Sequence, residues 1–368
     1  MENEKRRVLM VSCEGLGRGG VQSIMMGIIR DLSDVYHFDM LLFTDEERYY
    51  DKEFLTYGGK IIRIPNIRNK KALMLDQYLY KSVYRILKEE QPYVAIHCNN
   101  EYLSAPILKA AYKCAIPIRI CHTHVVHHGT GFLRHLINSH RIHQIRKYAT
   151  NLIGCSEEAC KALYDKGYKV INNFYDDKCF YKRSYEDEPS VIKLAQVGAI
   201  SKNKNQLFSI DILKCLIDKG IEAHLSILGF DLDSDYRERI NQEVRDKKLQ
   251  NRITFLPGDA NVAELLRTSS FYIQPSYREG FGIALVEAQA VGLHCFASST
   301  IPKTTNCGGV TYIEINESPA YWADIIIKWL KSSKVKTNAY DTTRYKHSII
   351  IKEYKKLYTN CNESTCSR

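Results

Sequence analysis

Two glutamates eight residues apart, Glu279 and Glu287, lie in the stretch FYIQPSYREGFGIALVEAQAVGLHCFA, residues 271–297. Residues 271–275 read as a strand. A loop follows with Glu279, Gly280, Phe281 and Gly282, then a helix over 283–291, with Gly292 as its C-terminal cap. Glycines at 280 and 282 let backbone approach a ligand closely, and a helix start aims free N–H groups and a positive dipole end at an anion. Glu279 in the loop then suits an uncharged, hydroxyl-rich part of that ligand. Glu287 inside the helix suits a pair of hydroxyls such as those of ribose. A second glycine cluster lies in VLMVSCEGLGRGGVQSIMMGIIRDL, residues 8–32, where Gly15, Gly17 and Gly20 are spaced G-x-G-x-x-G between a strand and a helical pattern. In a dehydrogenase that fingerprint goes with an acid near the end of the second strand. Asp39 and Asp45 lie within and after that strand, so the motif alone leaves a dinucleotide open.

The elements that must position these residues alternate almost from end to end. Strands are expected at residues 8–12, 38–44, 60–65, 93–99, 118–124 and 151–156, with helices between most of them. The polar, charge-mixed stretch 173–190, NFYDDKCFYKRSYEDEPS, reads as a linker. The alternation restarts with strands near 192–197, 224–228, 252–256, 271–275 and 294–297. This predicts an α/β protein of two Rossmann-like, doubly wound domains facing each other across a cleft. The expected boundaries are 1–172, the linker 173–190, 191–338, and a segment 339–368 whose helix, near 342–358, packs on a domain surface before a frayed tail.

A chain of 368 residues exceeds the usual size of one core, which agrees with two domains. No run approaches a membrane span and no signal-peptide core follows the charged start, so a cytoplasmic location is expected. The twelve cysteines are scattered without a C-x-x-C pair, and reduced thiols are expected. A net charge of +10 suits an anionic partner. Basic residues gather in RNKK (68–71) and in residues 132–147, where Phe132, Leu136, Ile142 and Ile145 alternate with Arg134, His135, His140, Arg141, Arg146 and Lys147. That pattern suits a basic helix at an anionic membrane surface, and equally a solvated face above an ordinary buried stripe. No aromatic and basic residues interleave along one strand, so nucleic acid is not an expected partner.

Pro-Ser ahead of Glu279, the Glu-Gly-Phe-Gly and Glu-Ala pairs, and the Glu279 to Glu287 spacing resemble the donor-sugar motif of family 4 retaining glycosyltransferases of the GT-B fold. The resemblance extends through QVGAISKNKNQLFSIDIL (196–213), LSILGFDLDSDYRERI (225–240) and ITFLPGDANVAELLRTSSFYIQPS (253–276). It implies that Gly198 and Lys204 hold the donor diphosphate, with Leu256 to Gly258 near the base. Where the family carries an Arg directly after the glycine, this chain has Ala199, and Lys202 or Arg278 is the candidate replacement. In the first half, ICHTHVVHH (120–128) resembles the segment whose histidine lies beside the reacting sugar; His124 aligns with it and His122 is its neighbour. Gly19 and Gly20 match the family's amino-terminal turn, which approaches the donor diphosphate and the acceptor.

The resemblance implies a retaining hexosyltransferase using a nucleotide diphosphate sugar, UDP being the expected base and GDP the other candidate. The expected acceptor is a saccharide or lipid-linked saccharide in capsule or exopolysaccharide synthesis. No metal or other cofactor is expected; Asp231-Leu232-Asp233 reads as a solvated loop before a helix. The runner-up is a non-catalytic sugar-nucleotide binder or inactive partner subunit, for which the missing Arg at 199 speaks. A nicotinamide oxidoreductase using the first loop is remote. A glycoside hydrolase using Glu279 and Glu287 is poorly served by two carboxylates on one loop and the helix that follows.

Overall fold

The computed structural model describes residues 5–13, 15–65, 72–90, 92–124, 132–182, 191–332 and 339–359. The RNKK cluster, residues 183–190 of the expected linker, and Cys361 and Cys366 lie outside the described residues. The chain divides into two units, Met1–Asn173 with His347–Arg368, and Phe174–Lys346.

The first unit runs β1 (Arg6–Ser12), α1 (Gly20–Leu32), β2 (Tyr36–Leu42), α2 (Asp51–Leu55), β3 (Ile61–Arg63), α3 (Ala72–Glu89), β4 (Ala95–Cys98), α4 (Ser104–Lys113), β5 (Ile118–Thr123), α5 (Phe132–Tyr148), β6 (Asn151–Gly154), α6 (Glu157–Tyr164) and β7 (Lys169–Val170). Its strands form one sheet in the order β3-β2-β1-β4-β5-β6-β7, and the pairings are parallel. Apolar runs such as β4, all four residues of which are buried, follow from helices covering both faces of a parallel sheet.

The second unit runs β8 (Ile192–Val197), α7 (Gln206–Asp218), β9 (Ala223–Leu228), α8 (Ser234–Asp246), β10 (Ile253–Leu256), α9 (Val262–Thr268), β11 (Phe271–Gln274), α10 (Ile283–Ala290), β12 (His294–Ser298), β13 (Val310–Ile313) and α11 (Pro319–Ser332). Its parallel sheet has the order β10-β9-β8-β11-β12-β13. Alternation along β11 splits the core: Phe271 and Ile273 join Leu194, Ile210 and Trp322, whereas Tyr272 joins Leu266, Leu285 and Ala288. The α/β class and the doubly wound sheets agree with the expectation from the sequence. The two short strands β7 and β13 were not expected. The first has only two residues, and the second follows Cys-Gly-Gly without a preceding apolar run.

The segment read as a linker is fastened to the second unit over its described part. The Tyr175 N–H donates to the Tyr345 carbonyl at 3.0 Å, the Tyr175 hydroxyl lies 2.8 Å from Thr342 Oγ1, and Arg267 donates to the Cys179 carbonyl at 2.8 Å. The last helix, α12 (His347–Thr359), returns to the first unit, burying Tyr354 and Tyr358 completely. The ten described cysteines are free thiols.

Candidate functional site

In doubly wound sheets a ligand is received beyond the carboxyl ends of the strands where the strand order reverses, because the crossover helices there depart to opposite faces. In the second unit that point lies between β8 and β11. The loop after β8 opens with Gly198 at φ 147°, a conformation L side chains rarely adopt, and a Cβ there would stand 3.1 Å from the Lys204 side chain. The following turn packs as tightly, since a Cβ on Gly229 would fall 2.0 Å from the Gly198 carbonyl oxygen. The loop is tied down from within. Gln196 donates to the Lys204 carbonyl at 2.7 Å, and Gln206 donates to the Ala199 carbonyl at 3.0 Å.

The loop after β11 closes onto it. The Tyr277 N–H donates to the Asn203 carbonyl and the Asn203 amide to the Arg278 carbonyl, both at 2.9 Å. Lys204 Nζ lies 2.7 Å from each Glu279 carboxylate oxygen, and Gln274 Nε2 donates to Glu279 Oε1 at 2.8 Å. Gly282, at φ 87°, then turns the chain into α10, where the Leu285 N–H bonds back to the Gly282 carbonyl at 3.0 Å and the Ile283 and Ala284 N–H groups ahead of it have no carbonyl within the helix to bond. Glu287, one turn into α10, is half-buried, and burial alone pushes its carboxyl up to about 7. No hydrogen bond or ion pair reaches that carboxyl from the described residues. The arrangement therefore offers an ammonium and free N–H groups to an anion, and two carboxylates to hydroxyls.

Lys204, Gly198 and Glu279 are brought together, and Gly280, Gly282 and Glu287 continue from the same loop into α10. Phe281 differs: its ring is buried against Tyr345, centroids 5.4 Å apart, so only its backbone is free to face a ligand. Arg278 is exposed, and Lys202 is drawn toward Asp233 at 3.8 Å. Asp233 caps α8 through the Tyr236 N–H at 2.9 Å, and Asp231 lies 3.9 Å from Arg237. Among the described residues, no group of three or more His, Cys, Asp or Glu is placed to hold a metal ion.

In the first unit the order reverses between β1 and β4. Gly19 is the N-cap of α1, and a Cβ on Gly20 would meet open space. His124, just past β5, is buried; its Nε2 lies 2.9 Å from Asn99 Oδ1, and its N–H donates to Glu101 at 3.2 Å. The His122 ring lies 3.9 Å from that of His124, His122 Nδ1 is 3.1 Å from His97 Nε2, and His97 Nδ1 is 2.7 Å from the Tyr358 hydroxyl. Burial pushes the His124 imidazole down to about 4, that of His97 to about 3, and that of His122 well below its ordinary range. All three rings are neutral at neutral pH.

Asp39, the acid that a dinucleotide would need, is spoken for. It is buried mid-strand in β2 and bound by Arg7 at 2.5 Å, Tyr93 at 2.8 Å and the Lys60 N–H at 3.0 Å. In α5 the buried stripe is Asn138, Arg141 and Ile145, with Arg141 paired to Asp76 at 2.7 Å; Arg134, Leu136, His140, Arg146 and Lys147 are exposed. Asn99, Gln196 and Gln274 were missed by reading the sequence. The available signal was a polar amide at, next to or just past the end of a buried strand.

The profile of the family described as Glycosyl transferases group 1 matches residues 179–346, the stretch that holds Lys204, Glu279 and Glu287. The chain carries a group 1 glycosyltransferase domain. It is 28% identical to EpsF of Bacillus subtilis over 351 residues, covering 89% of this chain and 88% of that one. The capsular polysaccharide biosynthesis glycosyltransferase CapH of Staphylococcus aureus is 26% identical, over 53% of this chain and 55% of its own. The fold matches the crystal structure of Anabaena Alr3699/HepE in complex with UDP and glucose, with a TM-score of 0.75 at 16% identity over 96% of this chain and 99% of that one. The two parallel sheets are those of the GT-B glycosyltransferases. The glycosyltransferase domain thus carries its ion-paired Lys204 and Glu279 at the strand-order reversal of a GT-B sheet. No described helix is long and apolar enough to cross a membrane.

Proposed function

We propose that this glycosyltransferase is a retaining hexosyltransferase. It moves a hexose from a UDP-sugar to a saccharide or lipid-linked saccharide acceptor in surface polysaccharide synthesis, without a metal. The carrying observation is the Lys204 to Glu279 pair beside the start of α10, with Glu287, unpartnered among the described residues, one turn on. Lys204 and the α10 N–H groups neutralise the diphosphate as it leaves, Glu287 accepts from the ribose hydroxyls, and Glu279 accepts from the sugar. The acceptor oxygen bonds to the anomeric carbon on the face from which the diphosphate oxygen departs, and its proton passes to that leaving oxygen. CapH supports the polysaccharide setting, and the UDP held by HepE supports the choice of base. For His124, the family resemblance supports a place beside the sugar.

Glu279→Ala and Lys204→Ala are each expected to abolish transfer from UDP-hexoses while the circular dichroism spectrum is kept; full activity in both overturns the assignment. A second reading, a sugar-nucleotide binder without transfer, is favoured by Ala199 and by the engagement of Lys202 with Asp233. It predicts UDP binding with no transfer to any acceptor. The exposed basic face of α5, with Leu136 at 51% exposure, is assigned to an anionic membrane surface on the cytoplasmic side. Flotation with liposomes should then show preference for anionic lipid, and equal binding to neutral liposomes removes that assignment.

A further inference from the structure

Glu279 is held from two directions, and the two holds differ in kind. Lys204 supplies a charge to both carboxylate oxygens, whereas Gln274 supplies one neutral N–H to Oε1. Gln274 ends a strand whose other residues, Phe271, Tyr272 and Ile273, are wholly buried and apolar, and it is itself only 2% exposed. Its Oε1 is buried and has no hydrogen-bond partner among the described residues. An apolar side chain would fill this position without that desolvation cost, so the amide's one satisfied bond, to Glu279, is what its polarity serves. In neighbouring β8 the next-to-last residue, Gln196, is 1% exposed; it spends its amide on the Lys204 carbonyl, and its own Oε1 has no partner among the described residues.

Resting on the proposed function, Lys204 has two anions to serve, Glu279 and the donor diphosphate. As its ammonium turns to the diphosphate, its hold on Glu279 weakens. The Gln274 amide carries no charge and is not drawn to phosphate. We propose that Gln274 is a positioning residue, keeping the Glu279 carboxylate aimed at the donor sugar once Lys204 is engaged by diphosphate.

The test is calorimetry of the full chain with UDP, UDP-glucose, UDP-galactose and UDP-N-acetylglucosamine, on wild type, Gln274→Met and Gln274→Glu. Methionine matches the volume without the donor; glutamate keeps the shape and sets a second carboxylate against Glu279. UDP affinity should stay within about twofold of wild type in Gln274→Met, whereas the affinity that the sugar adds over UDP should fall about tenfold, as expected for losing a hydrogen bond to a charged group. Gln274→Glu should lose at least as much. A ratio of UDP-sugar to UDP affinity unchanged in both variants overturns the proposal alone. Failure of wild type to bind any of the four ligands overturns the donor-site reading, and the proposal with it.

Discussion

At the residue scale, the site is a matter of which charges have partners before a ligand arrives. Lys204 and Glu279 satisfy each other, whereas Glu287 has no partner among the described residues and its carboxyl is pushed up to about 7 by burial. Only the ionised form accepts from two ribose hydroxyls. UDP affinity should therefore rise between about pH 6 and about pH 8 beyond what the titration of UDP itself gives, by up to the roughly tenfold that the ionised carboxylate contributes. Calorimetry across that range checks this against Glu287→Gln, which should lack the increment. The same shift acts oppositely on stability: the folded carboxyl holds its proton to higher pH than the unfolded one, so its contribution is lost as pH rises through about 7. Glu279 and Glu287 were legible in the sequence because a loop and the helix after it keep them close along the chain. Gln274 and Gln196 were not, since one buried amide at or next to the end of a strand has no period to betray it. The pairing of Lys204 with Glu279 spans 75 residues and is made only when β8 and β11 become neighbours.

Elements set where those residues meet. The alternation of short apolar runs with helices made both sheets legible, but not the return of α12 to the first unit, because its helical pattern names no partner. There α12 buries Tyr354 and Tyr358, and Tyr358 reaches the β4 and β5 histidines through His97. Removing that hydroxyl by Tyr358→Phe leaves a buried His97 nitrogen unpaired and should cost about 1 to 3 kcal/mol in urea unfolding at neutral pH. The same cluster sets an acid limit. With folded imidazoles at about 4 for His124 and about 3 for His97, the unfolded chain binds protons first as pH falls below the ordinary value of 6.5. Stability should then fall between pH 6.5 and pH 4 by as much as about 1.4 kcal/mol per pH unit for each histidine. Unfolding curves over this range for wild type and His97→Gln check it: the variant should show a shallower decline, and an equal slope would remove the cluster as the cause.

The chain has two units with separate cores, and the second holds the matched glycosyltransferase domain. If the nucleotide is held by residues 198–287, saturating UDP at about a hundred times its dissociation constant should stabilise by about 2.7 kcal/mol, with added hydrogen-exchange protection in the loops after β8 and β11. Asp39, locked by Arg7 and Tyr93, shows why the glycine spacing near the amino terminus could not settle the ligand by itself: the acid was visible in the sequence and its partners were not. The most direct measurement of the central claim is calorimetric binding of UDP, GDP, NAD and NADP, with and without magnesium, to wild type and Glu287→Ala. UDP should bind independently of magnesium, and Glu287→Ala should weaken it about tenfold. Binding of NAD or NADP alone, or UDP binding that is indifferent to Glu287, would contradict it.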